Sequence, residues 1–275
     1  MTHISSYLVC STQRSGSTLL CELLKSTGVA GCPDEFFEGR ASTGVPPHPR
    51  DYLRGLDSTG MGIRSDRTPP AVPSYSDLRG ISYREHLERS FRLGTTANGV
   101  FGSKLMWNQL DELKRLASQL DEYAGLEPPE LLDALFGNPR YVWVRRRDKV
   151  RQAISLWRAL QTREWSSGDA DSGERASELA YHFEALDHLV RLLSDQDDAW
   201  ERYFASIGSP QLTIAYEDEL ECDQAGTVRR ALDHIGVALP DRWEPAARVS
   251  RQADAINDEW YDAYHRKAAA RLARA

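Results

Sequence analysis

One stretch near the amino terminus constrains this chain more than any other. Tyr7, Leu8, Val9 and Cys10 form a short apolar run bounded by polar residues, which predicts a buried strand. Thr18, Leu19, Leu20, Leu23 and Leu24 follow at the three-and-four spacing of one helix face. Between them lies a turn dominated by small residues, 11–17. A strand passing through such a turn into a helix leaves several backbone N–H groups without intrahelical partners, aimed at one spot. The helix dipole adds partial positive charge there, so the turn suits an anion. An incidental serine-rich turn is the other reading of the same spacing.

The Walker pattern G-x-x-x-x-G-K-[ST] sharpens the comparison. Gly16 and Thr18 fall in register, but Ser11 stands at the first glycine and Ser17 at the lysine. The lysine that would reach the β and γ phosphates of ATP is missing, while Arg14 lies inside the loop. A guanidinium offers a planar donor fork to a phosphate or sulfate oxygen. The loop therefore favours an oxyanion ligand and does not favour ATP.

The rest of the chain sets bounds. Its 275 residues suit one large α/β domain or two small ones. A net charge of −7 argues against a broad nucleic-acid surface, so an anion site here is a local basic pocket in an acidic protein. No apolar run approaches the length of a bilayer span, and the first residues lack a secretory pattern. Cys10, Cys21, Cys32 and Cys222 form no C-x-x-C pair and read as small thiols in a reducing compartment, hence a cytoplasmic protein. The seven histidines show no clear metal-ligand cluster, so no metal is expected, and His48 reads as a loop hydrogen-bonder.

Along the chain, Gly28 is the expected C′ residue of the first helix. Residues 30–73 then form a long Gly- and Pro-rich connection, a length that is usually functional or disordered. It opens with Cys32, Pro33, Asp34, Glu35, Phe36, Phe37 and Glu38, unusually acidic and aromatic for a solvent loop. Rings pack on the apolar faces of pyranoses and carboxylates accept hydroxyl protons, so a sugar site is one reading. The other is a surface loop with its phenylalanines tucked into the core. Helices are predicted over 83–93, 108–120, 131–136 and 174–193, and strands over 100–105, 141–144 and 211–215. Tyr216 opens a segment at the mouth of another helix, and a last helix runs to the end of the chain. Arg145, Arg146, Arg147, Lys149 and Arg151 cluster where the strand at 141–144 feeds a helix carrying Val150, Ile154 and Trp157 on one face, with Ser155 in its body. This cluster is either a second anion site beyond a strand's carboxyl end or a solvated face. Strands alternating with helices imply an α/β fold with a largely parallel, covered sheet, and one domain over 1–275.

Several of these motifs, in one order, resemble the bacterial sulfotransferase family of the mycobacterial trehalose 2-sulfotransferases. The matching stretches are 11–20, 28–31, 35–37, 102–109, 152–159, 161–163, 251–254 and 259–260; only about 51–79 and 164–194 match loosely. The resemblance implies a P-loop-like three-layer fold that transfers sulfuryl from 3′-phosphoadenosine 5′-phosphosulfate (PAPS), without a metal, and a homodimer. It implies that Arg14, Ser15, Gly16, Ser17 and Thr18 hold the 5′-phosphosulfate, with Arg14 also acting in catalysis. Arg146 (or Arg147) and Ser155 would bind the 3′-phosphate, and Arg251 and Gln252 would close over the nucleotide. Glu35 matches the general base. Gln13, Cys32, Pro33, Asp34, Phe36, Phe37, Glu38, Pro47 and Tyr52 match disaccharide contacts, with the acceptor-binding region at about 30–73. Cytosolic-type sulfotransferases use a histidine two residues after a lysine; here Lys104 is followed by Leu105 and Met106, so a carboxylate base is needed. Cys32, Asp34 and Tyr52 depart from the family pattern, which leaves PAPS safer as donor than trehalose as acceptor. The alternatives are a sulfotransferase for another hydroxylated metabolite, a P-loop kinase or nucleotidase, and a non-catalytic nucleotide- or sugar-binding protein.

Overall fold

In the computed structural model, residues 5–38, 49–59, 61, 63, 78, 80–162, 179–245 and 255–274 are described. The chain divides into two units, each packed within itself. The first comprises Met1–Pro47, Pro70–Arg147 and Gln196–Ala247; the second comprises His48–Pro69, Asp148–Asp195 and Arg248–Ala275.

The first unit is built on four parallel strands, β1 (Ser5–Ser11), β2 (Val100–Met106), β3 (Arg140–Arg145) and β4 (Gln211–Ala215), in the order β2-β1-β3-β4. Successive residues of a strand face opposite sides. Leu8, Cys10, Tyr141 and Trp143 enter one apolar cluster, while Tyr7, Val9, Val142 and Val144 enter another. Both faces are thus covered, which is why these strands read as continuous apolar runs rather than alternating ones. Helices α2 (Tyr83–Gly94), α3 (Leu110–Ala117) and α4 (Pro128–Phe136) pack on the first face; α1 (Ser17–Ser26) packs on the second. The expected α/β class, with a parallel sheet flanked by helices, is what forms.

The second unit contains α5 (Lys149–Thr162), with Ile154, Trp157 and Leu160 in its core beside Tyr52 and Leu53. Of the helix expected over 174–193, residues 174–178 lie outside the described residues, 179–182 are not helical, and the rest falls in α6 (Phe183–Ile207), which belongs to the second unit up to Asp195 and to the first beyond it. Leu179 is in phase with α6 but does not join it. The adjacent Ala180 N–H donates to Gln161 Oε1, and its carbonyl accepts from Trp157 Nε1, both at 2.8 Å, so the backbone there is committed to α5 side chains. The apolar spacing instead continues through Trp200, Tyr203 and Phe204, all buried. The helix expected over 108–120 is a 3-10 turn, Trp107–Gln109, followed by the shorter α3. Tyr216–Leu220 forms a π-helical turn before α7 (Gln224–Ile235), and α8 (Ala255–Leu272) ends the chain. No helix among the described residues is long and apolar enough to cross a membrane.

Candidate active site

The strand order puts β1 between β2 and β3, so the connection from β1 to β2 runs one way across the sheet and the connection from β2 to β3 runs back past β1. Such a reversal opens a crevice beyond the carboxyl ends of the strands, where open α/β sheets bind ligands. Each strand delivers candidate groups to that edge: residues 12–18 after β1, Asn108 and Gln109 after β2, Arg146 and Arg147 after β3, and Tyr216 to Glu219 after β4.

The loop after β1 has the properties of an anion cradle. Gly16 is the N-cap of α1 with φ 94°, and neither a capping side chain nor an acidic first-turn residue covers the amino end of the helix. Its orphan N–H groups are therefore left for a ligand. Ser15 is buried completely, and its Oγ finds no hydrogen-bond partner among the described residues, an arrangement that a bound oxyanion would satisfy. Arg14 adopts φ 61°, so the loop is bent through the left-handed region at two positions. It is gripped from several directions. Trp200 Nε1 donates to Ser11 O at 2.9 Å, Thr12 Oγ1 donates to the buried carboxylate of Asp197 at 3.3 Å, and Gln13 Nε2 donates to Asn108 Oδ1 at 2.6 Å. The Tyr216 ring lies so close that a Cβ on Gly16 would stand 2.4 Å from it.

The loop at 32–38 is anchored by backbone before its side chains matter. Gly31 has φ 71°, and a Cβ there would lie 2.6 Å from Gly102 N, so only glycine lets the chain pass beside β2. Asp34 O then accepts from Lys104 N at 3.0 Å and from Ser103 Oγ at 3.1 Å. The Asp34 carboxylate is turned inward on the protein: Oδ2 accepts from Lys25 Nζ and Oδ1 from Glu35 N, each at 2.9 Å. Glu35 is held at both oxygens. Lys104 Nζ is 2.6 Å from Oε1, and Gln109 Nε2 donates to Oε2 at 2.9 Å. Gln109 is itself fixed, its Oε1 accepting from Met106 N.

Lys104 joins this loop to the anion cradle. It pairs in register with Val9, shares the sheet face covered by α1, is only 4% exposed, and donates to Thr18 Oγ1 at 3.0 Å. Burial is the largest single influence and works against the ammonium, but Glu35, Cys21 and Asp34 together outweigh it and raise its pKa. Burial and the neighbouring Glu35 push the half-buried Glu38 carboxyl up to about 8. Two carboxyls thus occupy one corner, with Glu38 favouring its neutral form at neutral pH.

The other expected site residues fall as follows. Phe36 and Phe37 are 1% and 2% exposed, packed with Phe101, Phe136 and His86 in the core, so their ring faces meet protein rather than a sugar. Pro33 is buried and Cys32 half-buried in the same loop. Tyr52 is buried in the core of the second unit, its carbonyl meeting His188 Nε2 at 3.1 Å. Ser155 is half-buried on α5. Pro47, Arg251, Gln252 and His48 lie outside the described residues. Arg146 and Arg147, equivalent in sequence, separate in space. Arg147 N–H and guanidinium engage Glu217 and Asp218, whereas the Arg146 guanidinium lies 4.8 Å from the Tyr216 ring centroid and donates to Arg14 O at 3.5 Å. Sequence reasoning assigned no role to Lys104, Gln109, Asp197 or Tyr216. For Lys104 the signal was present, a lone charge in an otherwise apolar strand. Among the described residues, no group of three or more His, Cys, Asp or Glu side chains could hold a metal ion.

Residues 6–267 match the model of the Stf0 sulphotransferase family. The trehalose 2-sulfotransferase of Mycobacterium tuberculosis (strain ATCC 35801 / TMC 107 / Erdman) is 40% identical over 263 residues, covering 95% of each chain. That of Mycolicibacterium smegmatis (strain ATCC 700084 / mc(2)155) is 34% identical over 270 residues, covering 97% of this chain and 96% of the relative. With a match spanning both the anion cradle and the carboxylate loop, the chain belongs to the Stf0 sulphotransferase family and is a sulfotransferase.

Proposed function

We propose that this enzyme transfers a sulfuryl group from PAPS to a hydroxyl of a carbohydrate, trehalose or a related sugar or glycolipid, by in-line displacement with Glu35 as general base. The observation that carries the reading is one buried ammonium, Lys104, touching both Glu35 and the first turn of α1. An acceptor-side base and a donor-side cradle within reach of a single cation are what a one-step transfer requires.

PAPS, when bound, supplies a sulfuryl group carried on a phosphate that leaves readily. The uncapped N–H groups of α1, the Ser15 hydroxyl and Arg14 are suited to hold the charge that grows on the bridging oxygen. Glu35 takes the acceptor's hydroxyl proton as the acceptor O–S bond forms and the S–O bond to phosphate breaks, the electron pair departing on the nucleotide. Such proton transfer is typically worth about 10²–10⁴-fold. Gln109 and Lys104 keep the carboxylate in one orientation through that step. Arg146 is the better 3′-phosphate ligand of the two, because it lies against the loop after β1 while Arg147 is turned to Glu217 and Asp218; Ser155, Arg251 and Gln252 complete that proposal. A single catalytic domain and a cytoplasmic location, read from the sequence, and the homodimer that the resemblance implies are parts of the same reading.

The test is a mass-spectrometric screen of PAPS with trehalose, other sugars, glycolipids and small hydroxylated metabolites. Sulfated trehalose or a sulfated sugar is the expected product, formed about 10²–10⁴-fold more slowly by Glu35→Gln. That variant should still be stabilised thermally by 3′-phosphoadenosine 5′-phosphate. Stabilisation by ATP in preference to that nucleotide would remove the sulfuryl-transfer reading, and full turnover in Glu35→Gln would remove the base assignment alone.

A further inference from the structure

We infer that Lys104 is a catalytic cation for the transferring sulfuryl group, delivered from β2 to do what the lysine missing from the loop after β1 cannot. The inference rests on the sulfuryl-transfer reading above.

Four observations converge on it. First, Ser17 occupies the loop position where a Walker lysine would stand, so the loop itself brings no ammonium to its ligand. Second, Lys104 reaches the same place from the neighbouring strand, its Nζ 3.0 Å from Thr18 Oγ1 in the first turn of α1. Third, an ammonium has three N–H donors; Thr18 and Glu35 use two, and among the described residues the third has no acceptor. Fourth, the placement is electrostatically poor without a ligand. A cation at the amino end of a helix opposes the macrodipole, and a lysine only 4% exposed has lost most of its hydration. Glu35 offsets one of these costs. An anionic sulfuryl group seated between Thr18 and Glu35 would offset the other, taking the third N–H while the acceptor oxygen approaches from the Glu35 side. As the S–O bond to phosphate breaks and the bond to the acceptor oxygen forms, Lys104 would stay on the non-bridging oxygens throughout, needing no proton exchange.

The experiment compares two nucleotides that differ only in the sulfuryl group, PAPS without acceptor and 3′-phosphoadenosine 5′-phosphate, by thermal-shift titration of the full chain. Lys104→Met should leave the Kd for 3′-phosphoadenosine 5′-phosphate within about twofold and weaken PAPS by about tenfold or more, as expected for loss of a charge-assisted hydrogen bond. Lys104→Arg should recover part of that difference. Lys104→Met also strands the Glu35 carboxylate, so Glu35→Gln/Lys104→Met, in which both charges are gone, is measured against Glu35→Gln, in which Lys104 keeps its charge and its bond to Thr18. Selective loss of PAPS in that background as well supports the proposal. Equal loss of both nucleotides makes Lys104 a structural residue, and loss that vanishes without Glu35 makes it a positioning residue for that carboxylate; either overturns the proposal. A parent protein that binds neither nucleotide overturns the sulfuryl-transfer reading and this inference with it, an outcome distinct from the other two.

Discussion

Gly16→Ala tests whether the cradle after β1 is shaped by its neighbours or merely by its own turn. Gly16 adopts φ 94°, and an added Cβ would stand 2.4 Å from one Tyr216 ring carbon and 3.1 Å from the next. Holding a non-glycine residue in that backbone region costs about 1–2 kcal/mol. Forcing a methyl group into the packed ring costs roughly another 1–3 kcal/mol, because Tyr216 is itself packed against the core and cannot swing freely. The sum, about 2–5 kcal/mol, corresponds to a melting shift of at least about 4 °C for a domain of this size. Any part of the strain relieved by moving the loop appears instead as weaker anion binding, about tenfold in Kd for each 1.4 kcal/mol. Displacing Tyr216 also removes the ring under Arg146, so the loss should be larger for 3′-phosphoadenosine 5′-phosphate than for inorganic sulfate. Gly16→Ala/Tyr216→Ala should restore the steric share and leave the backbone share. The assay is a thermal melt with and without nucleotide on all three proteins. A Gly16→Ala protein with the parent's melting temperature and nucleotide affinity would show that Tyr216 does not shape the cradle, and the argument from its close approach would fall.

Arg14→Ala should weaken 3′-phosphoadenosine 5′-phosphate and lower kcat together, since one guanidinium serves bound and reacting charge; unchanged kinetics would move the anion site elsewhere. His86, 2% exposed beneath Phe37, has its pKa depressed to about 4, chiefly by burial. The unfolded chain then binds the extra proton first, so this contribution to stability is complete above about pH 6.5 and is lost as pH falls towards about 4, to roughly 3 kcal/mol. Denaturant titrations across that window should slope less steeply for His86→Leu than for the parent, and parallel curves would refute the assignment.

The two central strands were legible because a parallel sheet buried on both faces demands unbroken apolar runs, and residues 7–10 and 141–144 supply them; the outer strands at 100–105 and 211–215 carry Ser103, Lys104, Gln211 and Thr213 and were read from their remaining apolar residues. The turn after β1 was legible from its run of small residues, with Gly16 at one of its two positive-φ positions; that Arg14 takes the other was not. Helix limits were less so. Leu179 keeps the phase of α6, yet Gln161 and Trp157 on another helix take the adjacent backbone, a competition invisible to local periodicity. In the loop at 32–38, composition allowed either a sugar platform or a tucked core segment. The Phe36 and Phe37 rings went to the core, while Glu35 stayed with the cradle.

Local pattern by itself therefore determined the class of fold and the place of the small-residue turn between β1 and α1, because backbone geometry and solvent exclusion act on residues close in sequence, while Glu35 was singled out only by the family resemblance. Tertiary structure alone decided which charges meet. Lys104 reaches Thr18 and Glu35 across 86 and 69 positions, Arg147 is taken by Glu217 and Asp218, and Arg146 meets Tyr216 and Arg14. Such pairings are set by strand order and register, and a one-residue shift of β2 against β1 would turn Lys104 to the opposite face of the sheet, away from α1.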